Sequence, residues 1–429
     1  MTSAPTSSRA VQRRFVILSA VKWLPTGLII PVLVLLMLER GLTFTELGIV
    51  MAAQGLLVLM LELPTGGLAD LLGRRPVLLT ATGFHVAAIG LLAVASTPWL
   101  IAVAFALRGV YRALESGPLD SWYVDTAQAI DPSADIERGL SNAGAALSIS
   151  IGVGALIGSA LVALDPFPNV DPLVVPLLGA LAMALVEFGA ISWLMIEDRP
   201  ASRNRTFAAV VRTTPAVIGT AISTVRASVA LTALVGVEFL WGFAMVAVER
   251  FSPAKLDEIL GGADQAAVLL GPLNAGGWLV AAAGAALVPL LTRFRRPGPI
   301  AAVLLITQAL ALFGIAIAVG PLAFVVAFVL IAGMNGALNP IHQGMLHRAV
   351  VDPESRTTVI SANSMTGHAG VMLGGIALGA LATATTLTAA LLVGAAIAAA
   401  AAPLYLLAAR KPQQTTVPRR TASLHRVDA

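Results

Sequence analysis

The chain contains no cysteine, which excludes disulfides, thiolate metal sites and thiol nucleophiles. Charge is scarce. Only 12% of the 429 residues are Asp, Glu, Lys or Arg, against about 25% in soluble domains. Lysine is nearly missing, with three residues beside 24 arginines. Aromatic residues make up 5%, too few for the stacked basic platforms that bind nucleic acid, and the arginines are dispersed. What remains is apolar: 57% of residues are hydrophobic and the mean hydropathy is +0.87. That is more apolar surface than one water-soluble core can bury. An ordinary soluble enzyme, a disordered chain and a nucleic-acid binder are all excluded.

The apolar residues fall into runs long enough to cross a bilayer, whose hydrocarbon core needs about 20 helical residues. Twelve such runs are readable: Phe15–Leu38, Glu46–Leu63, Pro76–Ala95, Trp99–Leu119, Gly139–Leu164, Leu173–Ile196, Val229–Val248, Ala266–Leu291, Ile300–Val319, Leu322–Gly344, Thr358–Leu381 and Thr386–Ala409. Thr43 and Glu46 have the spacing of a capping box opening the second run. The first run spans the bilayer by itself and is too long for a cleavable signal peptide. Alternating from an inside N-terminus puts 21 of the 27 basic residues on inner segments and three, Arg40, Arg250 and Lys255, in outer loops. Lys22, Arg108 and Arg112 fall within spans. That asymmetry predicts both termini on the cytoplasmic side. The wealth of Arg and Ala points to a high-GC bacterium, and hence to its inner membrane.

The chain divides into an N-terminal tail (1–14), six spans (15–196), a basic linker (197–228), six more spans (229–409) and a basic C-terminal tail (410–429). The linker holds an apolar-faced stretch around Phe207–Val225 that reads as lying on the membrane surface. Matches recur in order between the halves. Arg74-Arg75-Pro76 returns as Arg295-Arg296-Pro297, and Asp131-Pro132 as Asp352-Pro353. Gly117, Leu119 and Asp120 return as Gly336, Leu338 and Asn339. These predict a duplicated six-helix unit with a binding site between the copies. The expected fold is an all-α membrane protein of twelve transmembrane helices in two pseudo-symmetric bundles.

Charges at bilayer depth are expensive and mark a pathway or a pair. Arg108, Arg112 and Glu115 occupy one face of the fourth span, with Tyr111 alongside. Lys22, beside Trp23, and Glu62 reach a similar depth, and could complete one partly neutralised cluster with Arg112 and Glu115. Static pairing that fixes helix packing is the alternative, and Glu62 could also snorkel to the inner face. His85 and Glu187 read as buried hydrogen-bonding residues, and His342 and His347 as residues of the inner mouth. No histidine spacing suggests a metal. With no phosphate-binding loop and no soluble catalytic domain, neither an ATP-driven pump nor an enzyme is expected.

The segment after the second span reads Gly66-Gly67-Leu68-Ala69-Asp70-Leu71-Leu72-Gly73-Arg74-Arg75. It resembles the signature loop of the major facilitator superfamily, G-x-L-A-D-R-x-G-R-R, except that Leu71 replaces an arginine. The resemblance covers Phe15 to Ala409. It implies that Gly66, Asp70, Gly73, Arg74, Arg75 and Asp125 form a cytoplasmic gate, with Asp70 meeting the start of the eleventh helix near Thr358. It also implies that the first, fourth, seventh and tenth helices line a cavity. Trp23, Tyr111, Trp241, Asn335 and Asn339 would then contact substrate. Lys22, Glu62, Arg108, Arg112, Glu115 and Glu238 would be its charged groups. Membrane-embedded arginines of the fourth helix are tied to proton coupling among the drug exporters of that family. Gly154 and Gly158 keep part of an exporter motif in the fifth span, whose proline and last glycine are here Ala155 and Ser159. The implied function is proton-coupled efflux of a small amphipathic organic compound by a monomer, with a proton gradient and no cofactor. Uptake of a nutrient and a non-transporting sensor are the alternatives. The Glu197-Asp198-Arg199-Pro200 segment lacks the sugar porters' P-E-S-P-R pattern.

Overall fold

A computed structural model describes residues 7–197, 219, 222–294, 296–350 and 356–409. The side chains of 62–68, 70, 71, 294, 357 and 358 lie outside the description. So do most of the linker and the C-terminal tail.

Among the described residues, twelve rod-like elements follow one another. They are α1 (Ser8–Ile29, resumed as Leu33–Glu39), α2 (Phe44–Leu72), α3 (Arg74–Val94), α4 (Pro98–Glu115, resumed as Pro118–Ile130), α5 (Ile136–Leu164) and α6 (Val175–Leu194). The second set is α7 (Val229–Val246, continued to Leu260), α8 (Ala263–Phe294), α9 (Pro297–Ala316), α10 (Pro321–Ala349), α11 (Arg356–Ala384) and α12 (Leu387–Ala408). Eleven of them are long and apolar enough to cross a membrane. Pro98–Glu115 is the exception because Arg108, Arg112 and Glu115 all fall in its 18 residues.

The ends follow local chemistry. Thr43 and Glu46 form the expected reciprocal capping box, the Glu46 N–H donating to Thr43 Oγ1 at 3.2 Å and the Thr43 N–H to Glu46 Oε2 at 2.8 Å. Asp135, Thr97, Ser228 and Thr386 cap their helices by the side chain alone, each accepting the backbone N–H three residues on. Three interruptions depart from the simple spans read in the sequence. Pro31 breaks α1, since a proline inside a helix removes a donor and clashes with the preceding turn. Gly117-Pro118 breaks α4, which then runs on to Ile130 instead of ending near Leu119. In α7 a π-turn, Ala247–Phe251, carries the helix past Val248 to Leu260. Arg250 and Lys255, expected in an outer loop, are therefore helical.

The packing repeats with a shift of six helices. Within the first half α1 packs on α5 and α6, α4 on α2 and α3, and α3 on α6. Within the second, α7 packs on α11 and α12, α10 on α8 and α9, and α9 on α12. The halves meet along two equivalent seams, α2 with α11 and α5 with α8.

Burial differs between the two ends. At the end away from the termini, one apolar core runs through both halves, from Val32 and Leu47 to Phe251, Leu270 and Leu387. At the end carrying the termini the core splits. Phe15, Trp122 and Tyr123 belong to one half, and Leu234, Ile341 and Tyr405 to the other. Among the described residues the apolar packing is thus continuous at the distal, sealed end and split at the terminal, parted end.

The distal seal is built on small residues. Gly48 and Gly375 bring α2 and α11 so close that a Cβ on Gly48 would lie 2.6 Å from the Gly375 carbonyl carbon. The Thr45 N–H donates to Thr383 Oγ1 at 3.0 Å across this seam. On the other seam, Ser159 Oγ donates to the Ala267 carbonyl at 2.5 Å and accepts the Gly271 N–H at 2.9 Å. It is wedged into the backbone ladder of α8. The glycine that an exporter motif would place at Ser159 could make neither bond.

Candidate functional site

The α4 stripe meets α1 at the parted face of the first half. Glu115 is buried, its side chain 5% exposed. One carboxylate oxygen receives Arg112 Nη1 at 2.6 Å, and the other is paired with Lys22. Two cations therefore share one carboxylate. Trp23 supplies a π-face near both, 5.1 Å from the Arg112 guanidinium and 5.8 Å from the Lys22 ammonium. Arg112 is the most open member at 39%.

Behind this wall lies a second polar layer. Tyr111 stacks on His85 with ring centroids 3.9 Å apart. His85 faces Glu187 at 3.5 Å, both nearly inaccessible, and Thr82 Oγ1 donates to the same carboxylate at 3.5 Å. His85 and Glu187 are thus buried against each other. Tyr111, expected at the cavity wall, is 3% exposed. It turns into the bundle because its place on α4 faces α3.

In the second half Glu238, Trp241, Asn335 and Asn339 share one crevice, together with His342 and Tyr405. Glu238 Oε2 lies 3.2 Å from His342 Nε2, and His342 Nδ1 lies 3.0 Å from the Tyr405 hydroxyl. His342 is 4% exposed, which corrects its placement at the inner mouth. The chain carboxylate–imidazole–phenol was invisible in the sequence because its members come from three separate helices. The Trp241 indole N–H is buried and has no partner among the described residues.

The signature loop holds the terminal end of the first half together. Gly73 joins α2 to α3 with φ +95, a conformation that favours glycine. Arg74 donates to the Ser121 carbonyl at 2.9 Å and pairs with Asp125 at 2.5 Å. Arg75 donates to the Ser192 carbonyl at 2.7 Å. The backbone N–H groups of Arg74 and Arg75 donate to Glu197 at 2.8 and 2.9 Å. An anion thus sits on the N-terminus of α3, where the helix dipole favours it, and it is Glu197 from beyond α6. Nothing in the sequence marked Glu197 for this role. Glu62 and Asp70 lie on α2, and their side chains, with that of Thr358, are outside the described residues. Glu197→Ala leaves two donors without their acceptor and is expected to cost about 1–3 kcal/mol. A lower unfolding midpoint in detergent, with part of the loss restored in Glu197→Gln, checks this.

The sequence profile of the Major Facilitator Superfamily matches residues 15–346, and the chain belongs to that family of membrane transporters. It is a transporter and not an enzyme. No curated protein sequence is similar enough to count as a relative. Among solved structures the fold is similar to the nucleoside transporter NupG, with a TM-score of 0.77 at 13% identity, over 94% of this chain and 99% of that one. It is also similar to a bacterial homologue of the human lysosomal transporter Spinster, inward-facing and occupied. There the TM-score is 0.72 at 14% identity, over 95% and 97% of the chains. A bacterial homologue of the human drug peptide transporters PepT1 and PepT2 gives 0.63 at 14% identity, over 93% and 98%. At such identities the likeness is one of fold.

Proposed function

We propose that this transporter is a proton-coupled exporter, exchanging protons for a small amphipathic organic compound by alternating access. The observation that supports it best is Glu115, a buried carboxylate at the cavity wall shared by Lys22 and Arg112. A proton arriving on Glu115 dissolves both pairs and frees α1 to move against α4. Loss of the proton rebuilds them. The residues 15–196 and 229–409 are the two bodies that rock, hinged at the seams α2–α11 and α5–α8. By the distribution of arginine, the parted end faces the cytoplasm of a bacterial inner membrane with both termini on that side. Cargo then enters from within.

Apolar walls and the faces of Trp23 and Trp241 suit an amphipathic body. The chain works as a monomer, since the cavity is complete within one copy. The gradient of protons is the energy source, and Arg74, Arg75 and Asp125 belong to the gate that closes when the parted end shuts.

Reconstituted vesicles with an imposed pH gradient test this reading. Addition of lipophilic drugs is expected to release protons across the membrane in exchange for cargo. Accumulation of a polar nutrient with co-moving protons would contradict export.

A further inference from the structure

Two arginines remain that the coupling mechanism does not use. Arg108 lies one helical turn from Arg112, on the same face of α4 and farther from the terminal end. Among the described residues its guanidinium has neither a hydrogen-bond nor an ion-pair partner. Among the described residues, the groups whose charge acts on it are Arg112, Arg250 and the Tyr111 phenol, with no carboxylate among them. Arg250 comes from the other half. The π-turn of α7 aims it at the α2–α11 seam, where, among the described residues, its Nη1 meets only the Met51 sulfur, at 2.6 Å. Among the described residues, the carboxylate whose charge acts on it is that of its exposed neighbour Glu249. A π-turn inserts one extra residue into a helix, and such turns concentrate at functional positions.

Unpaired guanidiniums at bilayer depth are costly. Each carries five donors in a planar fork suited to carboxylate or phosphate oxygens. Glu115 is already committed to Lys22 and Arg112. Across the cavity, Glu238 is committed to His342. The positive charge of Arg108 and Arg250 is therefore left for the cargo to meet.

We infer that the transported compound is an organic anion, whose acidic group is held between Arg108 of the first half and Arg250 of the second while its apolar body lies toward Trp23 and Trp241. The inference rests on the transporter reading above and adds the charge of the cargo to it. A ligand gripped from both halves also biases their approach, because the closed arrangement brings both guanidiniums to one group.

The test uses the full chain in detergent at neutral pH and low salt, with matched acid, amide and amine compounds on phenyl, naphthyl and decyl skeletons. Equilibrium binding of each is measured. On at least one skeleton the acid is expected to bind about tenfold or more tighter than its amide, as a charge-assisted contact implies. The amine is expected to be weakest. Arg108→Gln removes the preference for the acid, while Arg108→Lys keeps part of it. If Arg108→Gln fails to fold, the weakened preference in Arg108→Lys carries the comparison. An acid that binds no better than its amide on every skeleton, a tightest-binding amine, or a preference that survives Arg108→Gln would overturn the inference. The same compounds in the vesicle assay separate the two claims. An acid that binds but moves without proton exchange leaves the inference standing and removes proton coupling. An amine exported in exchange for protons does the reverse.

Discussion

Glu115→Gln is expected to abolish proton exchange while leaving a folded, monodisperse protein. Glutamine keeps the size of the side chain and one oxygen acceptor for Arg112 and Lys22. It cannot carry a proton on and off, and loss of a proton-transferring group commonly costs about 100-fold or more in rate. The substitution also removes the charge shared by two cations. Breaking a buried pair by deleting one partner is expensive, about 3–5 kcal/mol. Here Arg112 is 39% exposed and Lys22 is 14% exposed, so water reached through the parted end absorbs much of that cost. The variant therefore tests coupling more than folding. Drug-driven proton release in vesicles is the readout. Cargo binding at equilibrium is expected to persist, because the carboxylate is not a cargo contact in this account.

The second large effect lies at the opposite end. Gly48→Leu is expected to stop transport by forbidding the distal seal. A Cβ at position 48 would already sit 2.6 Å from the Gly375 carbonyl carbon, and backbone cannot give way as a flexible side chain can. Overpacking a closed interface costs about 1–3 kcal/mol or more. Since that cost falls only on the state sealed at the distal end, it shifts the two-state balance by roughly 5- to 150-fold. The protein is cysteine-free, so a single Thr45→Cys reporter on the seam can be labelled cleanly. A membrane-impermeant maleimide added from the distal side is expected to label it faster in Gly48→Leu than in the parent. Equal labelling with transport intact would show that the α2–α11 contact is not part of the cycle.

Much of the architecture was legible because hydrophobic run length is a strong signal in lipid. Every span read from the sequence corresponds to a helix, and the Thr43–Glu46 capping box has its expected geometry. The places that escaped are those where local pattern gives no warning. Gly117-Pro118 lies in an otherwise continuous helical run, so the break in α4 went unseen. The extension of α7 failed because Glu249 and Arg250 read as loop charges, whereas the π-turn buries one face of that segment. At the site, the i to i+3 spacing of Arg112 and Glu115 was visible, and the pairing with Lys22 followed from depth alone. By contrast, His342 with Tyr405 and Glu197 with the α3 N-terminus join positions 63 and about 122 apart. Only tertiary packing makes such pairs, and periodicity carries no trace of them. Tyr111 was misplaced for a related reason. It flanks the α4 stripe, and the roughly 60° and 100° that separate it from Arg108 and Arg112 point it at His85.

The charge state of Glu115 is expected to set which end of the protein is open. Spin-label distance measurements in lipid nanodiscs test it most directly, using two exposed pairs in separate samples. Ser133→Cys with His347→Cys reports the terminal end, and Ser96→Cys with Val319→Cys the distal end. In the parent the first pair is expected to be long and the second short. In Glu115→Gln, which imitates the protonated group, the account predicts a population with the first pair shortened and the second lengthened. Distance distributions that stay unchanged between parent and variant at both pairs would contradict it.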